Sequence, residues 1–128
     1  MKREITSHKV NGLNEALSIA AMDDLGPGGA NHHYCIFVPH DTVNQELNAS
    51  LVCHIHFQNG PIGEAGVNGI SGEALLAIVE DRIKAFQAGP YACRENAIAL
   101  TKIQEAMHWL HHRTRERVAR GVEGTMTK

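Results

Sequence analysis

Three arginines, Arg113, Arg117 and Arg120, stand at i, i+4 and i+7 in the run "HHRTRERVARGVEGT". On a helix this spacing lines up three planar cations on one face, while Arg115 points elsewhere. Each guanidinium can hold phosphate oxygens through two parallel hydrogen bonds or lie flat against a purine. The plainer role for cations at a helix C-terminus is to offset the macrodipole, worth about 0.3 to 1 kcal/mol each. That role accounts for one or two arginines. The remainder of the row, with the two glycines of "GVEGT" that suit a backbone bending closely around something, points to an anionic ligand site.

Other reactive residues form weaker patterns. His54 and His56 share a strand face, and His108 and His112 lie one helical turn apart, so each pair offers two metal ligands among nine histidines. Two ligands do not make a site, and no HExxH or suitably spaced acid completes one; no metal is assigned and the histidines are read as surface residues. Cys35, Cys53 and Cys93 are odd in number and contain no CxxC pair, which excludes a zinc knuckle or a paired disulfide framework. Cys35 and Cys53 are each read as a buried structural thiol or a quiet surface thiol. No Cys or Ser has a base and an oxyanion site beside it in a known signature, so no catalytic residue is assigned. "GPGG" lacks the Lys-Ser/Thr of a phosphate loop and reads as a turn.

The 128 residues carry a formal net charge of -2, with 43% hydrophobic and 20% charged residues. Such a chain suits one globular core, and its slightly acidic balance argues against bulk-charge binding to DNA or RNA. No apolar run approaches the ~20 residues needed to cross a bilayer, and "MKREITSHKV" lacks a signal-peptide core, so a cytoplasmic protein with no membrane partner is expected.

The elements that must position these residues divide by periodicity. Leu17, Ile19 and Ala21, then Tyr34, Ile36 and Val38, then Leu51, Cys53, Ile55 and Phe57 alternate with period two, separated by "DDLGPGG" and "PHDTVNQELN". With "REITSHKV" as a further strand, three or four antiparallel strands are expected over 1–58. A loop over 59–70 follows. Beyond it the period becomes about 3.6: Ser71 caps a helix to about Phe86 with an apolar stripe of Leu75, Ile78, Val79 and Ile83. "AGP" ends it, and a second helix starts near Tyr91 to Arg94 and runs to Ala119 or Arg120. Leu100, Ile103, Met107 and Leu110 form its seam, widened by Ala99, Ala106 and Trp109. The fold class is thus α+β: an N-terminal antiparallel sheet followed by a C-terminal antiparallel helical hairpin and tail over 71–125, in a single domain 1–128. A second helix of ~40 Å outruns the core of so small a domain, which argues for a homo-oligomer built on the helices.

"NGPIGEAGVNG", "FQAGPYACRENAIAL" and "HWLHHRTRERVARGVEGT" together resemble the phage Thoeris anti-defence sponge family, over about Asn59 to Thr125. Its helical hairpin is shared with a sponge acting against CBASS, a cyclic-oligonucleotide defence. The resemblance implies a non-enzymatic protein of the host bacterial cytoplasm. It would enclose NAD-derived glycocyclic ADP-ribose isomers uncleaved and so block Thoeris signalling, as a dimer or as a hexamer built from three dimers, with no cofactor. Some members also hold cyclic di- or trinucleotides at a second site.

By this resemblance Phe86 and Asn96 occupy purine-recognition positions, and Arg113 and Arg117 match the family's helix arginines. Arg94 is a further phosphate contact, Arg120 completes the cationic row, and Thr125 offers a hydroxyl from a wall formed by "GPI" and "GVEGT". Two alternatives stay open: an enzyme degrading the same signal through His108, His112, Glu95 or Glu116, and a sponge for CBASS cyclic di- or trinucleotides. A structural or polymer-binding oligomer is the third class weighed.

Overall fold

A computed structural model of the chain describes residues 3–10, 12–38 and 52–128. Where the sequence reading takes 1–128 as one domain, contacts within the chain cluster into two compact units, Met1–Asn59 and Gly60–Lys128.

The first unit is a four-stranded antiparallel sheet whose spatial order follows the chain: β1 (Arg3–Ile5), β2 (Ser18–Ala21), β3 (His33–Phe37) and β4 (Val52–His56). Directly opposed residues point to the same face. Ile5, Ile19, Ile36 and Cys53 therefore form one row, and Ala21, Tyr34 and Ile55 the next. Ala20, Cys35 and His54 form a row on the opposite face, beside His33 and His56. The apolar alternation places these faces as expected, but burial does not follow it. Cys35, on the histidine face, is 1% exposed, while Cys53, on the apolar face, is exposed. The imidazoles of His33 and His54 approach Cys35 Sγ at 3.7 and 3.1 Å and close over it. Burial, and after it the rings of His56 and His54, hold the His33 imidazole below its ordinary pKa.

The connections within this unit are built from polar clamps. A one-turn helix, α1 (Gly12–Ala16), precedes β2 and has no counterpart in the sequence reading. "GPGG" is a turn, with a 3-10 segment over Pro27–Gly29 in which Gly28 and Gly29 adopt positive φ. Asp23 organises the return from that turn: its carboxylate accepts the His32 backbone N–H at 2.9 Å and the Asn31 amide at 3.2 Å. Those donors, the His32 N–H foremost, hold its carboxyl below the ordinary value. Buried Asn31 in turn accepts from the Arg3 guanidinium at 2.7 Å, which ties β1 to the turn. The break expected over 39–48, and Leu51, lie outside the described residues.

The second unit is the helical hairpin. Its first piece, α2 (Ile62–Ala65), is a single turn inside the stretch expected to be loop. Then α3 (Gly72–Gln87) starts where Ser71 Oγ accepts the Ala74 N–H at 3.1 Å, the N-cap that serine is suited to. Its partner α4 (Arg94–Ala119) starts at Cys93, whose Sγ accepts the Asn96 N–H at 3.4 Å. The two helices pack on each other, and Leu100, Ile103, Met107 and Leu110 are half-buried along the α4 seam. On α3 the expected stripe is corrected: Leu75, Leu76 and Ile83 are half-buried, but Ile78 is 66% exposed and Val79 is exposed as well. At roughly 100° per residue Ile78 lies about 60° to one side of Leu75, away from Ile83 and Leu76, so it falls outside the arc that one neighbouring helix covers. Trp109, expected to widen the α4 face, is likewise 65% exposed.

At the standard rise α3 extends about 24 Å and α4 about 39 Å, so α4 outruns its partner by nearly three turns. Arg113, Arg117 and the α4 C-cap residue Arg120 lie on this overhang.

Candidate functional site in the hairpin unit

Two ends of the hairpin carry the residues singled out above. At the turn, Gln87 uses both halves of its amide: Oε1 accepts the Cys93 N–H at 3.0 Å and Nε2 donates to the Cys93 carbonyl at 3.1 Å. This two-point clamp holds the ends of α3 and α4 in register around Pro90. Beside it the Phe86 ring meets Tyr91 edge to face at 6.2 Å, and the Arg82 guanidinium lies 5.0 Å from the Phe86 centroid. An aromatic face with a cation against it suits a flat, electron-rich base. Asn96 sits one turn into α4, half-buried, its backbone N–H engaged by the cap. Its side-chain amide has no partner among the described residues and offers a donor and an acceptor to a base edge. Arg94 is the first residue of α4 and is exposed. Close by, the Glu80 carboxylate 2.8 Å from Lys84 Nζ hydrogen-bonds to that ammonium and holds it above its ordinary pKa.

The arginine end is organised differently from the expectation. Arg117 is 6% exposed and turned into the chain. Its Nε donates to Glu123 Oε2 at 3.0 Å, and its terminal nitrogens donate to the carbonyls of Val122 at 3.0 Å, Thr125 at 3.1 Å and Thr127. Four of the five N–H donors of a guanidinium are thereby engaged. Among the described residues Arg117 is thus the post around which "GVEGT" folds. Arg120 likewise donates to the Lys128 carbonyl at 2.6 Å, and the Thr125 hydroxyl donates to the Val122 carbonyl. Arg113 remains exposed, its guanidinium without an ion pair among the described residues.

The folded tail meets α2. The Gly63 N–H donates to the Gly124 carbonyl at 3.0 Å, and a Cβ built on Gly63 would stand 2.8 Å from that oxygen. Gly121 and Gly124 turn the tail through positive φ of 73° and 81°. "GPI" and "GVEGT" thus run side by side at Ile62, Gly63 and Gly124. The structure gathers Phe86, Asn96 and Arg94 near the turn and sets Arg113 on the overhang.

Three residues of the site escaped the sequence reading. Arg82 and Tyr91 complete the Phe86 surroundings, and the i, i+4 spacing of Arg82 and Phe86 was the visible signal for the first. Glu123 was the third, an acid set among cations. His112 lies 3.9 Å from Glu116 across an exposed helix turn, and Trp109 packs edge to face on His108 and His112.

The architecture defines an α+β protein whose second unit is an antiparallel helical hairpin with a clamped, aromatic turn. Residues 50–115 match the Acb2/Tad1 hairpin domain. The chain belongs to that family. It is also similar to Thoeris anti-defense 1 of Bacillus phage SBSphiJ7, with 49% identity over 80 residues, 62% of this chain. The aligned stretch spans 56% of that relative's own length. No described helix is long and apolar enough to cross a membrane.

Proposed function

We propose that the protein binds a cyclic ADP-ribose isomer and withholds it, uncleaved, from Thoeris immune signalling in the host bacterial cytoplasm. The observation that carries this reading is the 49% identity to a phage protein named Thoeris anti-defense 1. The turn supports it in chemical terms, since Phe86, flanked by Arg82 and Tyr91, supplies a stacking face and Asn96 an unengaged amide. Arg113 supplies the free guanidinium for a diphosphate, with Arg94 as a further contact. Arg117, Arg120 and Thr125 act on the ligand through the wall that they hold in shape.

Asn96 and Arg113 are more than four helical turns apart, roughly 25 Å along one helix. A single hairpin cannot close both around one small nucleotide. The pocket is therefore formed between chains, the turn of one meeting the overhang of another, in a dimer or in a hexamer of three dimers. Exposed Ile78, Val79, Ile98 and Trp109 supply apolar surface for such packing. Enclosure with charge-assisted hydrogen bonds suffices for capture, and no acid or base need be poised against the ligand.

The test is to incubate purified protein with glycocyclic ADP-ribose, separate free ligand, heat-denature the protein and analyse the released nucleotide. Depletion followed by intact recovery is expected. New products would identify an enzyme degrading the signal, and no depletion with capture of a cyclic di- or trinucleotide instead would identify a CBASS sponge. Phe86→Ala and Arg113→Ala should each abolish depletion with oligomer size unchanged by light scattering.

A further inference from the structure

On the histidine face of the sheet, three ligating atoms from two adjacent strands converge. His33 Nε2 lies 3.1 Å from His54 Nδ1, Cys35 Sγ lies 3.1 Å from His54 Nδ1, and Cys35 Sγ lies 3.7 Å from His33 Nε2. This is the one cluster of three such groups among the described residues. It follows from register: Cys35 stands opposite His54, and His33 opposite His56.

We propose that His33, Cys35 and His54 form a binding site for a zinc-class divalent ion. In a tetrahedral site with Zn–N near 2.0 Å and Zn–S near 2.3 Å, adjacent ligand atoms stand about 3.3 to 3.6 Å apart. The three observed separations bracket that range. The point equidistant from all three atoms in their plane is about 1.9 Å from each, so an ion at ordinary bond lengths sits just off the plane.

The donor set is one thiol sulfur and two imidazole nitrogens with no oxygen, which suits zinc and disfavours calcium or magnesium. Cys35 binds as the thiolate and releases its proton to solvent. Exposed His54 provides the entry path, and a water molecule would complete the four-coordinate set. His56 stacks on His33 with centroids 4.1 Å apart and planes 16° apart, which fixes the His33 ring. The ion would staple β3 to β4 across the Cys35–His54 pair.

Hydrogen bonds among the three groups are the competing account of the same distances, and metal loading separates the two. Tag-free protein is stripped with chelator, dialysed against zinc chloride and assayed for bound metal; a second sample is loaded with cobalt(II). One zinc per chain is expected, with a thiolate-to-cobalt charge-transfer band and tetrahedral cobalt absorption. Cys35→Ser should abolish the charge-transfer band, and His33→Ala or His54→Ala should weaken zinc binding at least about tenfold. His108→Ala should leave both readouts unchanged. Zinc should also raise the melting midpoint of the parent chain but not of Cys35→Ser. Exposed His54 makes His54→Ala the variant least able to fail by misfolding, with circular dichroism as the check. Absence of zinc and of the cobalt band in the parent chain, or undiminished binding in His54→Ala, overturns the proposal.

Discussion

Arg117 and Glu123 form a short ion pair, Nε to Oε2 at 3.0 Å, at the point where α4 gives way to the tail. The pair is sheltered on the arginine side, and the same guanidinium caps three tail carbonyls. Arg117→Ala leaves the Thr125 and Thr127 carbonyls and the Glu123 carboxylate without the guanidinium, while the Val122 carbonyl keeps its Thr125 donors, and should cost about 2 to 4 kcal/mol. Arg117→Lys should recover little, because a point ammonium cannot reproduce the fork. Chemical denaturation, with limited proteolysis of residues 120–128, checks both variants; a tail that stays resistant in Arg117→Ala would refute this role.

Gly63 and Gly72 should respond oppositely to the same substitution. Gly63→Ala drives a methyl into the Gly124 carbonyl and should destabilise the hairpin unit by about 1 to 3 kcal/mol. Gly72→Ala meets open space at the first position of α3, and should stabilise by up to about 1 kcal/mol. Melting midpoints of the two variants, measured side by side, decide it.

Arg82 polarises the Phe86 ring from 5.0 Å. If that platform receives the base, Arg82→Gln should weaken ligand binding about two- to fivefold, the scale of an exposed cation–π contact. Isothermal titration with glycocyclic ADP-ribose reads the change, and an unaltered affinity places the base elsewhere.

Asp23 makes the sheet unit sensitive to acid. Its carboxyl is held below the ordinary 3.8 by the His32 N–H and its neighbours, so the ionised form is favoured in the fold. A depressed folded-state value contributes stability that is full above the unfolded pKa and lost as pH falls through the folded one. The melting midpoint should therefore decline below about pH 4. Asp23→Ala should lower the midpoint at neutral pH and remove its own share of the acid decline.

The elements were legible wherever a period or a breaker was long enough to read. Ile19, Ile36 and Ile55 marked one sheet face through simple alternation, and Ser71 and Pro90 bracketed α3. α1 and α2 escaped because a single turn is too short to show a 3.6-residue period. The site was harder. Arg113 and Arg117 share one face of a helical wheel, yet one faces solvent and the other is buried, since only the returning tail tells them apart. His33, Cys35 and His54 are separated by 2 and 19 residues, and only the β3–β4 register joins them.

The contact between Gly63 and Gly124 links two positions 61 residues apart with no space to spare. Their evolutionary histories should be linked accordingly. A homologue that acquires a side chain at the first position must reshape the bend at the second, so paired change at these positions, rather than drift at either alone, is the record to look for in an alignment.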